Sequence, residues 1–212
     1  MWQPQLDDLA AEYDCVAVDL PGHGTRSDVH FTFDRAADMV AAAAGADGAI
    51  VVGLSLGGLV GIYTAAAHPE LIRGLVVAGA TANYRRLRMR FLAPVNWFLL
   101  AHVYPESWLR RTNEASFATA WPEFAQGNIE GGFWFKGASL AFREIGRHDF
   151  RRLASEYSGP VLWINGEKDA VNRRDEPTDT VVVEGAGHMV NLDQPKIFNA
   201  SVRRFAETIV TS

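Results

Sequence analysis

The sequence predicts an α/β fold, a mostly parallel sheet with helices on both faces, interrupted by a helical insertion. Three observations carry this reading. Five short apolar runs, Cys15–Leu20, Ala49–Leu54, Gly74–Gly79, Pro160–Asn165 and Thr180–Glu184, alternate with stretches of helical character, as parallel strands and their crossovers do. Most of these runs are close to apolar throughout rather than at every second residue, the pattern of strands buried on both faces. The chain has 212 residues and is 48% hydrophobic, which suits one domain with a sizeable core.

In chain order, Leu6 to Glu12 reads as the end of a short helix, and Cys15–Leu20 as a buried strand turning at Pro21-Gly22-His23-Gly24. Thr32 is a helix cap for the alanine-rich stretch that ends at Ala44. Ala49–Leu54 is a strand, and Leu59 to Ala67 a small-residue helix stopped at His68-Pro69. Gly74–Gly79 is a further strand. Residues 84–157 break the rhythm: they are rich in arginine and aromatics, with Arg85, Arg86, Arg88, Arg90, Phe91, Trp97, Trp108, Trp121 and Trp134 at helical spacing. This stretch reads as a helical cap over the strand ends, leaving 1–83 and 158–212 as the core. Its basic run fits a solvated cap helix or a membrane-surface helix. Residues Ile197 to Ile209 form a closing amphipathic helix with Phe198, Val202, Phe205 and Ile209 on one face.

Composition excludes several classes of function. A formal charge of −5 and a pI near 5.7 offer no electrostatic case for nucleic acid. The single Cys15 forms no intrachain disulfide and reads as a buried small residue. No Cys and His cluster has zinc-ligand spacing, and no cofactor is expected. The longest apolar stretch, Phe91 to Tyr104, is broken by Pro94, Asn96 and His102, short of a membrane span. The N-terminus lacks the basic start and apolar middle of a signal peptide, so a cytoplasmic location is expected.

The chemistry centres on Gly53-Leu54-Ser55-Leu56-Gly57-Gly58, placed between a strand and a helix. A serine at the tip of such a turn adopts a strained backbone and exposes its hydroxyl above the sheet. Gly53 and Gly57 are expected to be needed because side chains there would collide across the bend. The N–H of Leu56, at the start of the following helix, would point at a substrate carbonyl oxygen. The bland alternative is a glycine-rich turn that packs a helix on a sheet. A serine needs a base, and the base a carboxylate. His188 follows the last strand and Asp169 the one before it, so both fall at carboxyl ends of parallel strands, as Ser55 does. His68 ends a helix at the opposite edge, His102 and His148 fall in or beside the insertion, and His30 lies in an exposed-looking loop. His23 reads as a residue that stabilises its own loop.

Four ordered segments together resemble the α/β-hydrolase family: Val16 to Gly24, Gly53 to Gly58, Pro160 to Asp169 and Gly185 to His188. The resemblance covers nearly the whole chain outside the insertion, and the order Ser, Asp, His is the order that family uses. It implies Ser55 as nucleophile, His188 as general base and acid, Asp169 as the orienting carboxylate, and Leu56 as an oxyanion-hole donor. Within the family the glycine-serine segment looks most like enol-lactonases and small esterases. The implied substrate is a small, largely apolar ester or lactone. Carbon–carbon bond hydrolases and haloperoxidase-like members share the pattern, and an inactive fragment or a binding module on the same scaffold is the reading from another class.

Two departures set further expectations. Family members usually carry a strand and a His-Gly loop before the segment that Trp2 begins, and that loop donates the second oxyanion N–H. Met1 is therefore expected to be internal to a longer protein, and the Cys15 and Ser55 strands either pair directly or leave a gap. Only Ala170 to Asp179 separate Asp169 from the next strand, too few for a full crossover helix.

Overall fold

Four strands pair in parallel in the order β1 (Ala49–Leu54), β2 (Ile72–Ala78), β3 (Val161–Gly166) and β4 (Val181–Val183). The structure, a computed structural model, describes residues 1–82, 94–173 and 176–210. The helices are α1 (Gln3–Leu9), α2 (Phe33–Ala44), α3 (Leu56–Ala67), α4 (Glu106–Ala120), α5 (Pro122–Gly131), α6 (Phe135–Ile145), α7 (Phe150–Glu156), α8 (Ala170–Arg173), α9 (Val190–Asp193) and α10 (Pro195–Val210).

The described residues form two compact units. The larger holds residues 2–18, 36–82 and 149–210 and contains the whole sheet. Its two faces follow from the alternation of side chains along each strand. Val76, Ala78, Leu54, Ile164 and Val183 lie on one face with Phe198 and Val202 of α10. Gly74, on that same face of β2, leaves room for Ile209 and Phe205: a Cβ there would stand 2.3 Å from Ile209 Cδ1. Leu75 points the other way, and a Cβ on Gly61 of α3 would stand 2.7 Å from its Cδ1. Helices α3 and α10 therefore cover opposite faces. Helix α7 packs on α3, and the Tyr157 hydroxyl just after α7 donates to the Ile72 carbonyl at 2.9 Å. Helix α1 packs on α10, with the Trp2 and Phe198 rings 6.2 Å apart. Gln5 bonds the Asn199 side chain and the Asn191 carbonyl, both at 3.0 Å. Arg203 reaches back to Glu12 and Asp8.

The Cys15–Leu20 run corrects an expectation. It forms no strand and pairs with none of the described strands, so β1 is the edge of the sheet. Val16 is 65% exposed, and Cys15 is half-buried rather than buried. Apolar continuity alone does not make a strand; the ladder partner must be present, and direct pairing with β1 does not occur. At the edge, residues 49–52 are only half-buried, although the run reads as central.

The smaller unit holds residues 19–35 and 94–148. Its described part after residue 93 is helical, beginning with α-helical residues 94–98 that run into a π-helical turn, Leu99–Val103, ahead of α4, α5 and α6. Phe117 gathers Trp121 and Phe133 at ring distances of 4.9 and 5.4 Å, and the Arg143 guanidinium lies 5.8 Å over Trp97. The basic run Arg85 to Arg90, with Phe91, lies outside the described residues. Thr32 accepts from the Arg35 N–H at 3.2 Å, the capping bond expected of it. His23 Nδ1 bonds the Pro21 carbonyl at 3.0 Å, within its own loop.

Phe198 is fully buried between α10 and the sheet. Phe198→Ala should cost about 3–5 kcal/mol by urea unfolding, with an unchanged m-value. Val16→Ala should stay within about 0.5 kcal/mol of the parent, because no ladder or core contact is lost.

Candidate active site

Ser55 stands between the last residue of β1 and the first of α3, with φ 54° and ψ −115°. It is the one non-glycine residue with positive φ among those described. Such a conformation costs on the order of 1–3 kcal/mol and persists only where the surroundings impose it. The Ser55 N–H donates to the Ala78 carbonyl at 2.8 Å, and the Ser55 carbonyl accepts from Leu59 N–H at 3.2 Å. The turn is thereby tied to both strand and helix. A Cβ on Gly53 would stand 2.2 Å from the Gly57 carbonyl oxygen, so only glycine fits there. Gly57 differs from expectation: a Cβ there meets nothing within 4 Å. The bend crowds the glycine two residues before the serine, not the glycine two residues after it.

Two loops at neighbouring strand ends bring up the other groups. Asp169 follows β3 and heads the one-turn helix α8, its Oδ1 3.4 Å from the Asn172 N–H. His188 follows β4. Its loop approaches β3 so closely that a Cβ on Gly166 would lie 2.1 Å from the Gly187 carbonyl oxygen. Gly79, just past β2 with φ 52°, clears the histidine itself, since a Cβ there would meet the His188 carbonyl oxygen at 2.7 Å. Carboxylates fix the loop backbone: Glu167 accepts from Gly185 N–H at 3.0 Å and Asp193 from Gly187 N–H at 2.7 Å.

The result is one chain of hydrogen bonds. His188 Nδ1 lies 2.8 Å from Asp169 Oδ2, and His188 Nε2 lies 3.0 Å from Ser55 Oγ. The carboxylate accepts a hydrogen bond from Nδ1–H, which fixes the tautomer that leaves the Nε2 lone pair for the serine hydroxyl. Asp169 is buried while the His188 side chain is 45% exposed. Burial alone pushes the Asp169 carboxyl upward. Hydrogen bonds from His188 and Asn172, with the charge of His188, outweigh it and hold the carboxyl below its ordinary value.

Ser55, Asp169 and His188 thus meet in the larger unit, and the short crossover does not prevent it. Helix α8 is a single turn, and β3 and β4 pair directly in parallel. Leu56 is the first residue of α3, so its N–H belongs to the first turn, where no intrahelical acceptor exists. His68 caps the far end of α3, 3.3 Å from Asp38. His102 lies against Trp97 and His148 against Phe33, both within the smaller unit, and His30 is exposed. Sequence reasoning missed Asn172, whose side-chain nitrogen lies 2.8 Å from Asp169 Oδ2. The signal was the Asp-x-x-Asn spacing, which lays the fourth residue of a helical turn over the first.

A family model described as "Alpha/beta hydrolase family" matches residues 1–201. The chain belongs to the alpha/beta hydrolase family. Among curated relatives of this hydrolase, the pimeloyl-acyl-carrier-protein methyl ester esterase of Neisseria meningitidis serogroup B is 30% identical over 235 residues, covering 98% of this chain and 88% of the relative. The Xylella fastidiosa enzyme of the same name is 25% identical over 244 residues, covering 99% and 91%. A thermophilic esterase from Thermogutta terrifontis superposes with a TM-score of 0.78 at 20% identity, covering 98% of this chain and 85% of that one. The enol-lactonase from Burkholderia xenovorans gives 0.71 at 19% identity, covering 97% and 84%. These two likenesses are of fold. No helix among the described residues of the hydrolase is long and apolar enough to cross a membrane.

Gly53→Ala should destabilise by about 1–3 kcal/mol through overpacking against backbone, whereas Gly57→Ala should leave the melting temperature nearly unchanged. Folded Asp169 binds its proton more weakly than an unfolded carboxyl, so its contribution to stability is complete above the ordinary carboxyl value and disappears as pH falls through the lowered one. The stability lost in Asp169→Asn, measured by urea unfolding, should therefore be larger at neutral pH than at about pH 3.

Proposed function

We propose that this hydrolase cleaves small carboxylic esters through an acyl-enzyme, with Ser55 as nucleophile, His188 as general base and acid, and Asp169 as the carboxylate that orients it. The observation that carries the proposal is the hydrogen-bonded order Ser55 Oγ, His188 imidazole, Asp169 Oδ2, at 3.0 and 2.8 Å, with the serine on a strained strand-to-helix turn. Ser55 Oγ attacks the ester carbonyl carbon as its proton passes to His188 Nε2. The proton then goes to the departing alkoxide, and the alcohol leaves. Water attacks the acyl-enzyme with His188 again as base, releasing the acid and restoring the serine hydroxyl. The Leu56 N–H and the amino end of α3 would face the oxyanion in both steps. The curated relatives carry a methyl ester in their names, which favours an ester over a lactone or a carbon–carbon bond.

A fluorophosphonate probe should label the wild-type chain at Ser55 and leave Ser55→Ala unlabelled. A cooperatively folded wild type that takes up no label counts against the proposal. His188→Gln should lower kcat on a nitrophenyl ester by about 10⁴- to 10⁶-fold while the melting temperature holds. A panel of methyl esters, nitrophenyl esters, lactones and vinylogous diketones identifies the bond that is cut; turnover confined to the diketones would overturn the ester assignment.

A further inference from the structure

We propose that Asn172 is a positioning residue that holds down the proton affinity of His188 by sharing the carboxylate oxygen to which the imidazole binds. The inference rests on the hydrolytic reading of Ser55, His188 and Asp169 for its meaning, though not for its measurement.

One carboxylate oxygen of Asp169 is crowded. Asp169 Oδ2 has two nitrogen donors at 2.8 Å, His188 Nδ1 and the Asn172 side-chain amide. The backbone N–H of Asn172 reaches the other oxygen, Oδ1, at 3.4 Å. Asn172 is 3% exposed, so its amide is not diluted by solvent. A carboxylate oxygen that accepts from a second donor has less negative charge to offer the first. The lowered Asp169 carboxyl carries the same sign, with Asn172 among its causes.

The second contact acts in the same direction. The Asn172 amide nitrogen lies 3.3 Å from His188 Nδ1. With the Nδ1 proton directed at Asp169, that nitrogen has no lone pair to accept with. Two donors then face each other, and the positive end of the amide opposes the charge that imidazolium places on Nδ1. Both effects disfavour protonated His188 and keep Nε2 available as a base at lower pH.

Several described charged groups of the neighbourhood bind elsewhere. Glu167 binds the Gly185 N–H, Asp193 the Gly187 N–H, and Arg173 pairs with Glu176 and the Glu167 carbonyl. Ser55 Oγ meets the opposite ring nitrogen, Nε2. The Asn172 side chain lies within bonding distance of both Asp169 and the imidazole.

The test is an NMR titration of the histidine resonances of the whole chain, with the His188 signal assigned by its loss in His188→Gln. Asn172→Leu keeps the bulk and removes the donor. Its titration midpoint should rise by about half a pH unit or more, where one unit is a tenfold change in the protonation equilibrium. Asn172→Val should do the same, and Asn172→Asp, which replaces the donor with an acceptor, should move the midpoint further in that direction. The acid limb of kcat/KM on a nitrophenyl ester should follow the same order. A residue that merely fills space would lower kcat and leave the midpoint in place. A wild-type or lower midpoint in any of these variants that melts cooperatively overturns the proposal. The titration needs no turnover. An unlabelled Ser55 with a shifted midpoint would therefore sink the hydrolytic reading alone, and a labelled Ser55 with an unmoved midpoint would sink this one alone.

Discussion

The backbone bonds from Ser55 N–H to the Ala78 carbonyl and from Gly79 N–H to the Ile164 carbonyl bring the carboxyl ends of β1, β2 and β3 to one level. Parallel pairing without a slip at those ends is what the candidate site depends on. Leu54 lies opposite Ala78, and Ala78 opposite Ile164. A slip by one residue would turn every side chain to the wrong face and carry the serine turn away from the loops after β3 and β4. The only irregularity in the β1–β2 register falls at the far end, between Ala49 and Ile50.

Once the strand ends are level, close backbone approach does the rest. Gly53 lets the serine turn fold back on itself, Gly166 lets the histidine loop lie on β3, and Gly79 clears space for His188. Each of these glycines admits a backbone or ring atom where a methyl group would not fit. The loops are then held by carboxylates, Glu167 on Gly185 and Asp193 on Gly187. The histidine is placed by its backbone, which lets its side chain remain nearly half exposed and still meet Asp169 at 2.8 Å.

Asp169 serves two structural purposes at once. It begins a helical turn through Asn172 and it receives the imidazole of His188. An aspartate in such a loop is commonly only a turn residue, and here the turn is also what aims the carboxylate. The brevity of the crossover has a physical consequence. With α8 limited to one turn, the fourth residue of that turn is placed directly over the carboxylate, and Asn172 joins the polar cluster.

Much of this was legible in the chain. The runs Ala49–Leu54, Gly74–Gly79, Pro160–Asn165 and Thr180–Glu184 read as strands because continuous apolar character is local, and all four are strands to within about two residues. The order of Ser55, Asp169 and His188, each just beyond a strand, was equally visible, and parallel connectivity sends all three to one rim. Cys15–Leu20 reads the same way locally and is not a strand, because pairing requires a neighbour and no local pattern supplies one. Gly53 and Gly57 are alike in sequence, yet only the first is crowded by backbone, since the bend has a direction the sequence does not encode. What the chain determined by itself was its alternation of strand and helix and the chemistry at each strand end. Tertiary structure alone decided which strands found partners and how closely the histidine loop lies on β3, because both depend on distances between residues far apart in the chain.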